Sequence, residues 1–148
     1  MSVSIQQDDF DCIDEYKLLL ADAPKIGAIV TFCGLVREFD QGQGLALELE
    51  HYPQMTEKVL LGIIAEAKAR WPILNVRIVH RIGRLSLSEQ IVFVGVNSEH
   101  RQAAFKACHF IMDLLKTKAP FWKKAISQQG DYWLAAKACD QRAKAAWE

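Results

Sequence analysis

The sequence predicts a compact α+β domain, and three observations carry that expectation. Two long stretches place apolar residues at intervals of three and four, as amphipathic helices do. Four others alternate, or run almost unbroken, in β-branched, aromatic and aliphatic residues, as strands do. The two kinds interleave along the chain rather than forming separate blocks. At 148 residues the chain fits one domain, residues 1–148, and such a domain buries roughly 70% of the surface its unfolded chain exposes.

In chain order, Val3 to Gln6 reads as a short strand. Cys12 to Ala21 reads as a helix with acidic residues in its first turn, its shared face formed by Ile13, Tyr16, Lys17 and Leu20. Gly27 to Val36 is rich in β-branched and aromatic residues and reads as a strand. Asp40 to Gly44 is a turn, and Leu45 to His51 alternates three leucines with Ala46, Glu48 and Glu50. These two strands are expected to pair. Pro53 opens a helix to Arg70 that buries Met55, Val59, Leu60, Ile63, Ile64 and Ala67. Val76 to Ile82 alternates as a strand, and Ile91 to Val96 is a nearly continuous apolar strand. A helix from His100 to Lys116 buries Ala103, Ala104, Ala107, Phe110, Ile111, Leu114 and Leu115. Asp131 to Trp147 reads as a C-terminal helix.

Composition excludes several function classes. The chain carries 18 basic and 18 acidic side chains, so it lacks the overall positive charge of a nucleic-acid binder. No apolar run approaches the ~20 residues of a membrane helix. Asp8, Asp9, Asp11, Asp14 and Glu15 give the first 20 residues the wrong sign for a secretory or transit signal, so the expected location is cytoplasmic. Cys12, Cys33, Cys108 and Cys139 contain no C-x-x-C pair. They are expected to be free thiols packed mostly as small apolar residues, not zinc ligands or a redox dithiol. His51 and His80 have no ligand-like spacing and read as structural.

Three segments carry the chemistry. Between Asp113 and Asp131 stand Lys116, Lys118, Lys123 and Lys124 without one carboxylate, interleaved with Phe121 and Trp122. Pro120 lets the chain turn, which would bring Lys116 and Lys123 round a shared cavity walled by Phe121 and Trp122. Converging ammonium groups repel, so at least one should have a lowered pKa and be able to move protons near neutrality. The competing reading makes Lys116 and Lys118 complements to a helix C-terminus, and Lys123 and Lys124 the guards of an edge strand. The second segment is Asn97 to Arg101, where a strand ends and a helix begins. Free backbone N–H groups there favour an anion, with His100 and Arg101 as added donors. Alternatively Asn97 or Ser98 caps the helix and His100 is surface decoration. In the third, Arg37 follows Gly34, Leu35 and Val36, and either forks onto an anion or sits at the surface.

Together the segments resemble the large, catalytic subunit family of molybdopterin synthase. The matching stretches are Gly27 to Arg37, Leu49 to Pro53 with Met55 to Lys58, Val79 to Gly83, and Ile91 to Val96 with His100 and Arg101. Phe110 to Asp113 and Leu115 to Lys123 complete the set. The resemblance implies an α/β hammerhead-type fold with an additional antiparallel β subdomain. It implies a sulfurtransferase that converts cyclic pyranopterin monophosphate to molybdopterin. Two sulfurs would arrive on the thiocarboxylated C-terminal glycine of a small ubiquitin-like sulfur-carrier subunit. The chain would form the homodimer core of a heterotetramer. Carried over by position, Lys116 and Lys123 would be catalytic. Phe32, Leu35, Val36, Arg37, His100, Arg101, Lys124 and Ala125 would bind substrate. Leu35 departs from the basic or polar residue common there. No metal or cofactor is implied, since molybdenum is inserted later by other proteins. Two rivals remain open: a non-catalytic phosphate- or nucleotide-binding module, and a single-strand nucleic-acid binder stacking bases on Phe121 and Trp122.

Overall fold

A computed structural model describes residues 2–135 and 137–148. Its elements are β1 (Val3–Gln6), α1 (Cys12–Leu20), β2 (Ala28–Leu35), β3 (Gly44–His51), α2 (Met55–Arg70), β4 (Ile73–Arg81) and β5 (Gly83–Ser86). They continue with β6 (Gln90–Ser98), α3 (Arg101–Lys118), β7 (Phe121–Ser127), β8 (Tyr132–Leu134) and α4 (Ala138–Ala145). The strands form two four-stranded sheets, ordered β1-β4-β6-β2 and β5-β3-β7-β8. The first is antiparallel except for β1, which runs parallel to β4; the second is wholly antiparallel.

Alternation explains how the first sheet is covered. Val76 and Ile78 of β4 and Val92, Val94 and Val96 of β6 point to one face, where they join Leu60, Ile63, Ile64 and Ala67 of α2 and Phe110, Ile111 and Leu114 of α3. The opposite face takes α1. Asp11 caps that helix by accepting from the backbone N–H of Ile13 and Asp14. Leu19 then enters the sheet so closely that a Cβ at Gly95 would lie 2.5 Å from its Cδ1. A side chain at position 95 would force the Leu19 side chain, and the Phe93 ring 3.0 Å away, to shift. An ion pair between Arg77 and Glu15 holds the helix from β4.

Several expectations are corrected. β2 and β3 do not pair: β2 lies against β6, whereas β3 joins β5 and β7 in the other sheet. On α1 it is Leu19 that is buried, while Ile13, Tyr16 and Leu20 are exposed. On α2, Met55 is exposed and Thr56 is buried in its place, with its hydroxyl accepting from Tyr52 N–H at 3.1 Å. Asp131 to Trp147 is not one helix. Tyr132–Leu134 pairs with Lys123, Lys124 and Ala125 as an added strand, and helix begins at Ala138. On α3 all seven residues expected to be buried are buried, together with Cys108 and Met112.

All four cysteines are free, but only Cys108 is buried. Cys12 and Cys33 meet, sulfur to sulfur at 3.7 Å, and both approach the side-chain oxygen of Gln90. Partial covering of its sulfur, then hydrogen bonding to Cys12, push the Cys33 thiol up to about 12. The thiolate is the reactive form. Maleimide at neutral pH is therefore expected to modify exposed Cys139 and leave Cys33 largely unmodified, as read by mass spectrometry of the peptides. Equal labelling of the two would contradict the shielding of Cys33.

Candidate functional site

β7 is the element that builds the lysine site. Its side chains alternate between faces, so Phe121 and Lys123 point one way while Trp122 and Lys124 point the other. The first pair shares its face with their register partners on β3, His51 and Leu49. There the Lys123 ammonium comes close enough to Lys116, from the last turns of α3, for the two charges to act on each other. Burial first, and then the neighbouring Lys116 charge, pull Lys123 down to about 8. The two lysines converge as the turn at Pro120 required, and Lys123 becomes able to exchange its proton near neutrality.

The other face holds a different group. Trp122 lies beside Tyr52, ring centroids 6.1 Å apart, and Lys124 sits over Trp133 at 5.8 Å. Trp122 is therefore not a wall of the Lys116–Lys123 pocket, and Lys124 is turned away from it. The wall is Phe121, whose ring stacks on His80 at 3.8 Å. The alternation that separates Lys123 from Lys124 follows from strand geometry once β7 is recognised as a strand.

The remaining candidates fall in three places. Val36 is buried in a small cluster with Leu49 and Leu85, beside the strand that carries Lys123. Its N–H donates to the Glu89 carbonyl and its own carbonyl accepts from Ser88 N–H, so it offers no free group to a ligand. Ala125 is fully buried in β7, between β3 and β8. Phe32, Leu35 and Arg37 are exposed along and just beyond β2; the Arg37 guanidinium donates to the Glu38 carbonyl at 3.1 Å.

His100 and Arg101 lie at the start of α3, sixteen and fifteen residues before Lys116. At 1.5 Å per residue that separates them by about 22 Å along the helix axis. Within one chain the five basic and histidine side chains do not share a cavity. Instead His100, Arg101, Gln102, Phe105 and Lys106 line an open groove of about 600 Å³. Neither Asn97 nor Ser98 is the helix cap. His100 holds that position with no side-chain cap bond. Asn97 is fully buried, donating to the Leu19 carbonyl at 3.0 Å and to Asp22 at 2.6 Å, and accepting from Asn75 N–H at 2.7 Å. The helix start therefore keeps N–H groups available for an anion. Among the described residues no three His, Cys, Asp or Glu side chains gather as metal ligands would.

Residues 5–118 match the sequence profile of the MoaE protein family. The chain belongs to this family. A molybdopterin synthase catalytic subunit from Pseudomonas aeruginosa is 52% identical over 149 aligned positions, covering 100% of this chain and 99% of the relative. A molybdopterin biosynthesis MoaE protein from Burkholderia ambifaria has a similar structure, with TM-score 0.83 and 50% identity over 99% of this chain and 98% of that one. The crystal structure of molybdopterin synthase from Staphylococcus aureus gives TM-score 0.83 at 34% identity, over 89% and 96% of the two chains. The MoaE profile reaches Lys116 but stops before Lys123, which only the longer alignments include.

Three further groups act near the MoaE lysine pair, outside the site residues expected from the sequence. His80 continues the buried row of Val76 and Ile78 on β4, and that row position was its signal in the sequence. Lys137 and Asp140, whose charges also act on Lys123, carry no signal in the sequence, because only the break between the strand Tyr132–Leu134 and the helix from Ala138 brings that segment beside β7.

Proposed function

We propose that this chain is the catalytic subunit of molybdopterin synthase. It converts cyclic pyranopterin monophosphate to molybdopterin with two sulfurs from the thiocarboxylated C-terminus of a small ubiquitin-like subunit. Full-length similarity to catalytic subunits supports the reaction, and the convergence of Lys116 and Lys123 is the single observation that carries the site. The cyclic phosphate and the thiocarboxylate are both anions. At ~4 Å and an effective dielectric of 20, two such charges repel by about 4 kcal/mol. A pair of lysines, one charged and one able to shed its proton, offsets that repulsion and supplies a general acid or base. Lys116 and Lys123 assist sulfur transfer and opening of the cyclic phosphate, while Arg37, His100 and Arg101 bind phosphate.

The separation along α3 bears on assembly. A homodimer lets the His100–Arg101 end of one copy complete the lysine end of the other, with a small subunit docked at each end of the dimer. No helix among the described residues is long and apolar enough to cross a membrane, and we place the reaction in the cytoplasm. The test mixes purified protein with the pterin precursor and a thiocarboxylated small subunit and assays for the dithiolene. Product is expected only when all three are present. A folded protein that binds the small subunit yet forms no product would sink the assignment and leave a phosphate-binding scaffold.

A further inference from the structure

Beneath Lys123 lies a group that sulfur transfer as described does not use. His80 is 2% exposed. Its Nδ1 lies 2.8 Å from the Arg81 carbonyl, so that nitrogen carries the proton and donates it. The ring is stacked on Phe121 at 3.8 Å with planes 14° apart. Phe121 in turn occupies the same face of β7 as Lys123, two residues away. The groups whose charges act on the imidazole are Lys123, Lys116 and His51, so the buried ring lies near the lysine pair.

We propose that His80 is a positioning residue of this site: with Phe121 it forms a flat, uncharged floor that keeps water from the Lys123 ammonium and makes Lys123 a proton donor and acceptor rather than a fixed cation. The proposal rests on the reading of Lys123 as part of the sulfur-transfer site. Its physical basis is desolvation, which penalises the charged form of a lysine. The floor must also be uncharged, since a protonated His80 would place a third cation beside two others. Burial first, opposed by the bond to Arg81 and aided by Lys123, Lys116 and His51, pushes His80 down to about 3, so it stays neutral at any physiological pH. The charged groups acting on Lys123 itself are Lys116 from α3 and Asp140 and Lys137 from the C-terminal segment. His51 on β3 and His80 on β4 are the other titratable groups placed on that face among the described residues. Asp140 acts in the opposite sense, favouring the ammonium.

The experiment titrates Lys123 directly by NMR of protein containing ¹³C-labelled lysine, with Lys123→Met identifying the resonance. The unmodified protein should show a midpoint near 8. His80→Gln, which removes the flat ring, and Phe121→Leu, which removes the other half of the stack, should each raise it by about one pH unit. His80→Phe keeps an uncharged ring and should leave the midpoint in place. Dithiolene formation by His80→Gln should show its pH profile displaced in the same alkaline direction. Should His80→Gln fail to fold, Phe121→Leu at a partly exposed position carries the test alone. An unchanged Lys123 midpoint in either folded variant overturns the proposal. Full turnover by Lys123→Met would instead remove the functional reading beneath it, a result the titration cannot mimic.

Discussion

Replacing Lys116 with alanine is expected to slow dithiolene formation by about 10²–10³-fold while leaving the fold intact. The magnitude is that of removing one preorganised charge from a site where charge must be stabilised, roughly 3–4 kcal/mol. The fold should survive because Lys116 is exposed at the end of α3, after the core residues Leu114 and Leu115. A second consequence follows from the pair. The Lys116 charge is one of the causes holding Lys123 down, so its loss should let Lys123 titrate at higher pH. Part of the lost rate should therefore return in alkaline buffer if Lys123 acts as a base. Single-turnover assays across pH, with circular dichroism as the folding control, measure both effects. Normal turnover by the folded variant would end the catalytic assignment of Lys116.

Asn97→Leu is expected to lower stability by about 3 kcal/mol, the largest cost we anticipate for a single polar residue outside the lysine site. Leucine keeps the branched outline of asparagine, but its two methyl groups are bulkier than the amide, so some crowding at this fully buried position adds to the cost. Beyond that, the Asn75 N–H and the Leu19 carbonyl lose the partners they find in the Asn97 amide. Each buried group left without a partner costs about 1–3 kcal/mol. The amide also donates to Asp22, whose carboxyl its hydrogen bonds from Asn75 and Asn97 hold below the usual range. Urea unfolding monitored by tryptophan fluorescence measures the loss. A change under 1 kcal/mol would mean that water replaces all three contacts. Because Asn97 ties the end of α1 to β4 and β6, the variant should also loosen α1 locally, as read by amide exchange at Leu19 and its neighbours.

How much was legible in the sequence depended on the length of each periodic run. α3 spans five turns, enough for its period to single out one face, and every residue expected inside is inside. α1 has nine residues with leucine at 18, 19 and 20, so its apolar pattern fits several faces. The choice fell to Leu19 because Gly95, on a distant strand, leaves room for it. β8 is three residues long, too short for any period, and exists because β7 offers it an edge. The failed pairing of β2 with β3 has the same root: proximity in sequence favours a hairpin, but β2 completes the first sheet beside β6. In the site, charge composition and Pro120 were enough to bring Lys116 and Lys123 together. They were not enough to separate Trp122 and Lys124 from that pair, because a cavity walled by both aromatics takes no account of a strand's period of two, which sends neighbouring side chains to opposite faces.

That period has a consequence for how the protein can change over generations. On β7 one face carries Phe121 and Lys123 and the other carries Trp122 and Lys124. Inserting or deleting one residue between Pro120 and Lys123 would exchange the two faces, sending Lys124 or Trp122 toward His80 and α3. A change of two would preserve the faces but slide Lys123 past Lys116. The spacer after Pro120 can thus vary in composition but hardly in length, whereas the turn at Gln128 to Asp131, beyond the strand, is free to grow or shrink.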